Sequence, residues 1–141
     1  MKNWDADQVT LVAVGVTINS GYDDGPFLKL EMADDAFKTK QGTDGSVTRY
    51  ATHNNLAKMT VMLMQTSDGN ALLSTIHELD KKVPGGKGIA PFMIRDRQGT
   101  SIYSGRFSWV SKPPDVTMDR EPTVREWEIA AIIENRLDGG N

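Results

Sequence analysis

At 141 residues, 38% hydrophobic and 25% charged, the chain lies on the globular side of the boundary with disorder, and its length suits one compact domain over residues 1–141. A net charge of −3 argues against a protein that grips duplex DNA, which needs a basic face to displace counterions, but not against one that surrounds DNA without holding it. The absence of cysteine excludes disulfides and thiolate metal sites.

The first residues, MKNWDADQ, lack the apolar core of a signal peptide, and no apolar run approaches the ~18 residues of a membrane span. Cytoplasmic synthesis without a membrane anchor is therefore expected. Residues 9–18 (VTLVAVGVTI) are almost wholly apolar and β-branched, which predicts one strand with Gly15 as a bulge or close-contact point, ended by the turn-rich NSGYDDGP. Residues 27–32 (FLKLEM) alternate, with Leu28, Leu30 and Met32 on one face and Lys29 and Glu31 on the other. That is a strand with one wet face.

Residues 33–55 form the longest polar stretch, read as a long loop of the kind that in a small β domain is functional or disordered. Residues 56–65 (LAKMTVMLMQ) read as a strand in which Met59, Met62 and Met64 fill the core. Residues 67–83 (SDGNALLSTIHELDKKV) predict a helix: Ser67 or Asp68 caps it, Lys81 and Lys82 oppose its C-terminal dipole, and Pro84-Gly85-Gly86 stops it. Leu72, Ile76, Leu79 and Val83 recur at helical spacing, so Leu72, Ile76 and Leu79 are the expected packing face. Strands near residues 90–96, 101–111 and 124–134 follow, divided by Gln98-Gly99 and Pro113-Pro114, although VREWEIAAII in the last also fits helical spacing in part. Six strands, with one helix between the third and fourth, predict a mainly β fold: a two-sheet β-sandwich or barrel with one flanking α-helix.

Reactive chemistry is sparse. His77 lies beside Glu78 on the helix and His53 in the polar stretch, neither at a metal-ligand spacing, so no catalytic, cofactor-binding or metal-binding residue is nominated. In Pro84-Gly85-Gly86-Lys87-Gly88 a glycine follows the lysine and a helix precedes the loop, which reads as a helix stop and not a phosphate loop. Asp23-Asp24-Gly25 and Asp34-Asp35 lack the spaced ligands of a calcium loop, and turn and cap chemistry accounts for them. Trp4, Trp109 and Trp127 do not read as a stacking platform, because Trp109 and Trp127 fall in expected strands, where burial is favoured. Lys38, Lys40 and Arg49 surround Phe37 and Tyr50, a pattern that fits partner or nucleic-acid contact better than a plain loop. Residues 1–35 carry two basic against seven acidic side chains and residues 115–141 three against seven, whereas residues 36–114 carry eleven against five. Acidic ends around a basic middle suit self-association, and plain solvated faces also account for them.

Four segments covering nearly the whole chain carry a resemblance: VTLVAVGVTINSGYDDGPFLKLEM, MLMQTSDGNALLSTIHELDK, IAPFMIRDRQGTSIYSGRFSWVSKPPDVTMDRE and VREWEIAAIIEN. With their order of elements, they resemble the tail tube proteins of contractile-tailed bacteriophages, a family related in fold to type VI secretion tube proteins. The resemblance implies a structural virion protein and no enzyme, with two packed β-sheets and a flanking helix. It implies six copies closed into a ring whose inner sheets join into a barrel, and rings stacked within a contractile sheath as the conduit for DNA ejection. Its implied partners are further copies of the chain, the tail sheath protein, baseplate and tail terminator proteins, the tape measure protein and, transiently, genomic DNA in the lumen. Assembly in the host cytoplasm and a final place in the virion tail follow, with no cofactor and no membrane. Joining sheets across copies removes exposed strand edges.

In such proteins the long connection after the second strand reaches the neighbouring ring. For residues 33–55 this implies inter-ring stacking with Phe37 and Tyr50 as anchors and Lys38, Lys40 and Arg49 facing acidic side chains of the next ring. The segment holds too little apolar surface to order alone, so it is expected to be mobile until rings stack. Two alternatives stand beside this reading: a type VI secretion tube protein with the same ring, and a monomeric β-sandwich module that binds carbohydrate or nucleic acid.

Overall fold

Alternation of large apolar with polar side chains makes strands the dominant regular structure of the chain. The computed structural model describes residues 3–18, 21–22 and 25–140, and among these it contains ten strands and one long helix. A 3-10 turn at Ala6–Gln8, capped by the Asp5 carboxylate, leads into β1 (Val9–Ala13) and β2 (Val16–Ile18). The single strand expected over residues 9–18 is broken at Val14-Gly15 into a tight hairpin with Ala13 opposite Val16. Both turn residues have positive φ, 52° and 76°, the two-residue geometry whose twist matches the flanking strands. Val14 is buried as fully as its strand neighbours, so apolar patterning hides the turn.

β3 (Leu28–Met32) keeps the expected alternation and pairs with β6 (Leu56–Met64), Leu30 opposite Met59. Between them, residues 33–55 do not form an unstructured loop: β4 (Phe37–Gln41) and β5 (Val47–Ala51) build a separate two-stranded sheet. Along β6, Ala57, Met59, Val61 and Leu63 are buried while Met62 and Met64 are only half-buried. The period of two puts Met62 and Met64 on the opposite face, so only Met59 of the three is core filler.

The helix α1 (Asp68–Lys82) begins where the Ser67 hydroxyl accepts from the Gly69 N–H at 3.3 Å, with Asp68 in its first turn and Lys81 and Lys82 in its last. Turns through Pro84 to Gly88, with positive φ at Gly85 and Gly86, end it. Then come β7 (Ala90–Asp96), β8 (Ile102–Lys112), β9 (Val124–Ile132) and β10 (Asn135–Leu137). The VREWEIAAII segment is therefore a strand, its inward residues Trp127, Ile129 and Ala131 alternating in burial. β10 lies beyond the last strand expected from the sequence.

The larger sheet runs β2-β1-β7-β8-β9-β6-β3, antiparallel throughout, with β10 added to β8. It curls back on itself. Tyr22, just after β2, bridges Leu63 of β6, and the Met64 N–H donates to the Gly21 carbonyl at 2.7 Å. Strands from both ends of this path, with α1, share one core of Leu11, Met59, Leu63, Leu73, Phe92 and Ile129, each worth about 1.5–3 kcal/mol of apolar burial. The architecture is mainly β with two sheets and one helix on the flank.

The helix seats on this core by a different stripe from the expected one. Gly69 and Leu73 are buried and Ile76 is partly so, whereas Leu72 is 50% and Leu79 46% exposed. Gly69 explains the rotation: a Cβ there would stand 3.1 Å from Leu63 Cδ1, so its absence lets the first turn lie close to β6 and drives Leu73 into the core. Of the three expected packing residues, Ile76 alone faces the sheet.

Candidate self-assembly surface

The hairpin β4–β5 grows out of the β3–β6 ladder. The Ala33 N–H donates to the Leu56 carbonyl at 2.9 Å and the Thr52 N–H to the Ala36 carbonyl at 3.0 Å, so the root is a continuation of paired backbone. Phe, Thr, Val and Tyr supply the β preference of FKTKQ and VTRYA. Gly42 to Ser46 close the tip, where Asp44 Oδ1 accepts from the Ser46 N–H at 3.0 Å and from its hydroxyl at 2.7 Å. Those two bonds, the hydroxyl one foremost, hold the Asp44 carboxyl below the usual carboxylate range.

All five residues expected at the stacking contact lie on this hairpin, but on two faces. Register pairs Lys38 with Tyr50 and Thr39 with Arg49, so the strand alternation puts Lys38, Lys40 and Tyr50 on one side and Phe37, Arg49 and Val47 on the other. Phe37 is 53% and Val47 65% exposed, and the Arg49 guanidinium stacks 3.9 Å over the Phe37 ring. Tyr50 is about as exposed on the opposite face. Lys38 is held back at its own root by Asp34 at 3.0 Å, an ion pair that lowers the Asp34 pKa. Among the described residues, Lys40 has no ion pair.

Val47 escapes sequence reading because its significance lies in cross-strand register. A second exposed apolar row lies on the outer side of α1, where Leu72, Leu79 and Val83 lie away from the core, and Val116 and Met118 are exposed in the loop between β8 and β9. Trp4 is exposed, Trp109 half-buried and Trp127 buried. The Trp127 indole N–H donates to Asn70 Oδ1 at 2.9 Å. Tyr22 donates from its hydroxyl to the Ile18 carbonyl, and burial pushes its phenol up to about 12.

Beside the hairpin root, the C-terminal segment is latched onto β8. Tyr103 donates to Asp138 at 2.5 Å, Arg136 pairs with Asp138 at 3.0 Å, Arg106 pairs with Glu134 at 3.0 Å, and Ser101 donates to the Gly139 carbonyl at 3.0 Å. Arg106 depresses the Glu134 carboxyl, and Arg136, then Tyr103, depresses that of Asp138.

Nucleophilic or metal chemistry has no such convergence. His53 stands at the hairpin root with a φ of 54°, and His77 is half-buried on α1. Among the described residues, no group of three or more His, Asp or Glu side chains is placed to hold a metal ion, and no helix is long and apolar enough to cross a membrane. The Asp23-Asp24 turn lies outside the described residues. What the surface offers is a paired arm, apolar rows and charged rims, which are the parts of a protein–protein contact.

Comparison with known proteins agrees with that reading. The family model described as "Bacteriophage PhiTE tail tube protein" matches residues 6–138. The chain is 29% identical over 140 residues to "Structural protein ORF10" of Pseudomonas phage KPP10, spanning 96% of this chain and 81% of that protein. Among solved structures it is similar to the anti-feeding prophage cap, a tube-terminating cap, with a TM-score of 0.55 over 93% of this chain and 88% of that one. At 11% identity the likeness concerns the fold alone. Because the family match takes in all but the terminal residues, the chain belongs to the bacteriophage tail tube protein family, and it is a structural protein of the phage tail and not an enzyme.

Proposed function

We propose that copies of this chain close into hexameric rings, that the rings stack into the inner tube of a contractile tail, and that the β4–β5 hairpin of each copy reaches the adjacent ring. The observation that carries this reading is the hairpin itself. It pairs with no other strand among the described residues and exposes Phe37, Val47 and Tyr50. Two strands alone are marginally stable in water, and apolar surface on a free arm calls for a cover. A second copy supplies both. Phe37 and Tyr50 anchor the contact on the two faces, with Lys38, Lys40 and Arg49 set toward the acidic segments 1–35 and 115–141 of the neighbour. The outer row of α1, Leu72 with Leu79, serves contacts between copies.

In this reading the rings enclose a neutral to acidic lumen through which genomic DNA slides during ejection, since a net charge of −3 gives phosphates little to hold. The sheath protein surrounds the tube, baseplate and terminator proteins bound its ends, and the tape measure protein fills the lumen during assembly in the host cytoplasm. Electron microscopy of the purified protein tests the first step, with rings or tubes expected. Replacing residues 38–48 by a brief Gly-Ser linker should leave a subunit with native circular dichroism that forms no tubes. Tubes of normal length from that variant would refute the hairpin as connector.

A further inference from the structure

We infer that the hairpin docks by strand addition: β4 of one copy pairs with the free edge of β10 in a copy of the adjacent ring. This rests on the reading of the hairpin as inter-ring connector and adds the acceptor to which it connects.

The acceptor is a place where the sheet forks. Up to Ile132, β9 is flanked by β6 on one side and β8 on the other. The Ile133 N–H then donates to the Asn55 carbonyl on the β6 side at 3.0 Å, and the Glu134 N–H to the Ser104 carbonyl on the β8 side at 2.9 Å. Beyond that point the chain before β6 turns away into the hairpin root, while β10 follows β8 alone, Arg136 opposite Tyr103. An open groove of about 580 Å³ separates the two branches, with Met32 and Ile133 contributing apolar lining and Asp35, Glu134 and Asp138 carboxylates.

Along this groove the outer backbone edge of β10 pairs with no strand among the described residues, yet the latch of Tyr103, Asp138, Arg136, Arg106 and Glu134 holds it still. An ordered, unpaired edge is the receptor that strand addition requires, and soluble proteins ordinarily cover or distort one. β4 is the matching donor, since its own outer edge is equally unpaired. Period-two alternation puts Glu134, Arg136 and Asp138 on one face of their strand and Lys38 with Lys40 on one face of β4. Glu134 is paired with Arg106, Asp138 with Arg136 and Lys38 with its own Asp34, so among the described residues of this contact the charges left outside ion pairs are the Asp35 carboxylate at the groove rim and the Lys40 ammonium on β4, which match. The outer edge of β3 competes less well, because its exposed Lys29 and Glu31 pair with each other and leave no net charge to match.

Disulfide trapping reads the contact directly, as the chain has no native cysteine and neighbouring strands bring Cα atoms within bonding range. Lys40→Cys is combined in turn with Asn135→Cys, Arg136→Cys and Leu137→Cys, and assembled tubes are oxidised. At least one pair should give a reducible ladder extending beyond two copies on a denaturing gel, whereas Lys40→Cys with Val116→Cys should stay monomeric. A charge exchange provides an independent reading: Lys40→Glu should lose tubes at low salt, and Lys40→Glu with Asp35→Lys in the same chain should regain them. Tubes that form without any ladder, or a Lys40→Glu loss that Asp35→Lys does not reverse, overturn β10 as acceptor. If the shortened hairpin still builds normal tubes, the connector reading itself fails, and the two failures are thereby told apart.

Discussion

The seating of α1 separates folding from assembly and is measurable with two substitutions one residue apart. Leu73 is 0% exposed within the core, so Leu73→Ala removes its buried side chain and leaves a cavity, at a cost of about 2–5 kcal/mol. Taking ~3 kcal/mol, and ~3 °C per kcal/mol for a chain near this size, the melting temperature should fall by roughly 10 °C. Leu72 is already half in water, so Leu72→Ala removes a fraction of that burial and gains slightly in helix propensity. Its cost should stay within about 1 kcal/mol, or ~3 °C. Ile76→Ala should fall between the two. Thermal melts followed by circular dichroism, paired with tube yield by sedimentation, separate the effects: Leu73→Ala melts early, while Leu72→Ala with Leu79→Ala melts near wild type but assembles poorly. Equal melting shifts for Leu72→Ala and Leu73→Ala would refute the seating described.

Other consequences are smaller or more local. Asn70→Ala leaves the buried Trp127 indole N–H without its acceptor and should cost about 1–3 kcal/mol in a chemical denaturation midpoint, whereas an unchanged midpoint would show that water replaces it. The Glu134 and Asp138 carboxyls are depressed by Arg106 and Arg136, so their contribution is complete above the ordinary carboxylate range and is lost as pH falls through their folded values. Amide-exchange protection of β10 should therefore hold from pH 8 to 5 and decline only below about 4, and a decline already near pH 6 would contradict this. Assembled tubes should not retain duplex DNA at physiological salt, and measurable affinity there would count against a neutral to acidic lumen.

Where burial alternates along a strand, the sequence reads well: residues 56–65, 90–96 and 101–111 became β6, β7 and β8 within a residue at each end. It reads poorly where a turn is itself buried, as at Val14, or where a strand has no dry face. FKTKQ and VTRYA carry strand-forming residues around the turn-forming GTDGS, which is the signal that would have found the hairpin, but with no apolar side their polarity reads as a loop. The helix carries two overlapping stripes, Leu72-Ile76-Leu79 and Gly69-Leu73-Ile76. Side-chain size favours the first, and only close approach at Gly69 selects the second. For the proposed assembly surface, sequence composition singles out Phe37, Lys38, Lys40, Arg49 and Tyr50, but their division between two faces depends on register, which single-strand composition does not encode.

The charges at the free edges have a double effect. Lysine on an edge strand ordinarily keeps strangers from pairing with it, because any added strand must bury the approach to an ammonium group. The hairpin carries Lys38, Lys40 and Arg49 against Asp44 alone, so it repels a second hairpin and any basic edge. The rim of the β10 groove carries the opposite sign, and it is therefore protected from acidic segments and open to basic ones. Neither edge matches itself. A contact between them is head-to-tail, the class of interface that propagates along an axis and does not stop at a pair. Salt should then act on stacking before it acts on the subunit fold: the screening length shrinks from ~10 Å at 0.1 M to ~3 Å at 1 M, while the core of Leu11, Phe92 and Ile129 contains no charge to screen. Tubes that shorten as salt rises, from subunits whose melting temperature does not fall, are the expected result, and a parallel loss of both would mean that the edge charges support the fold and not the assembly.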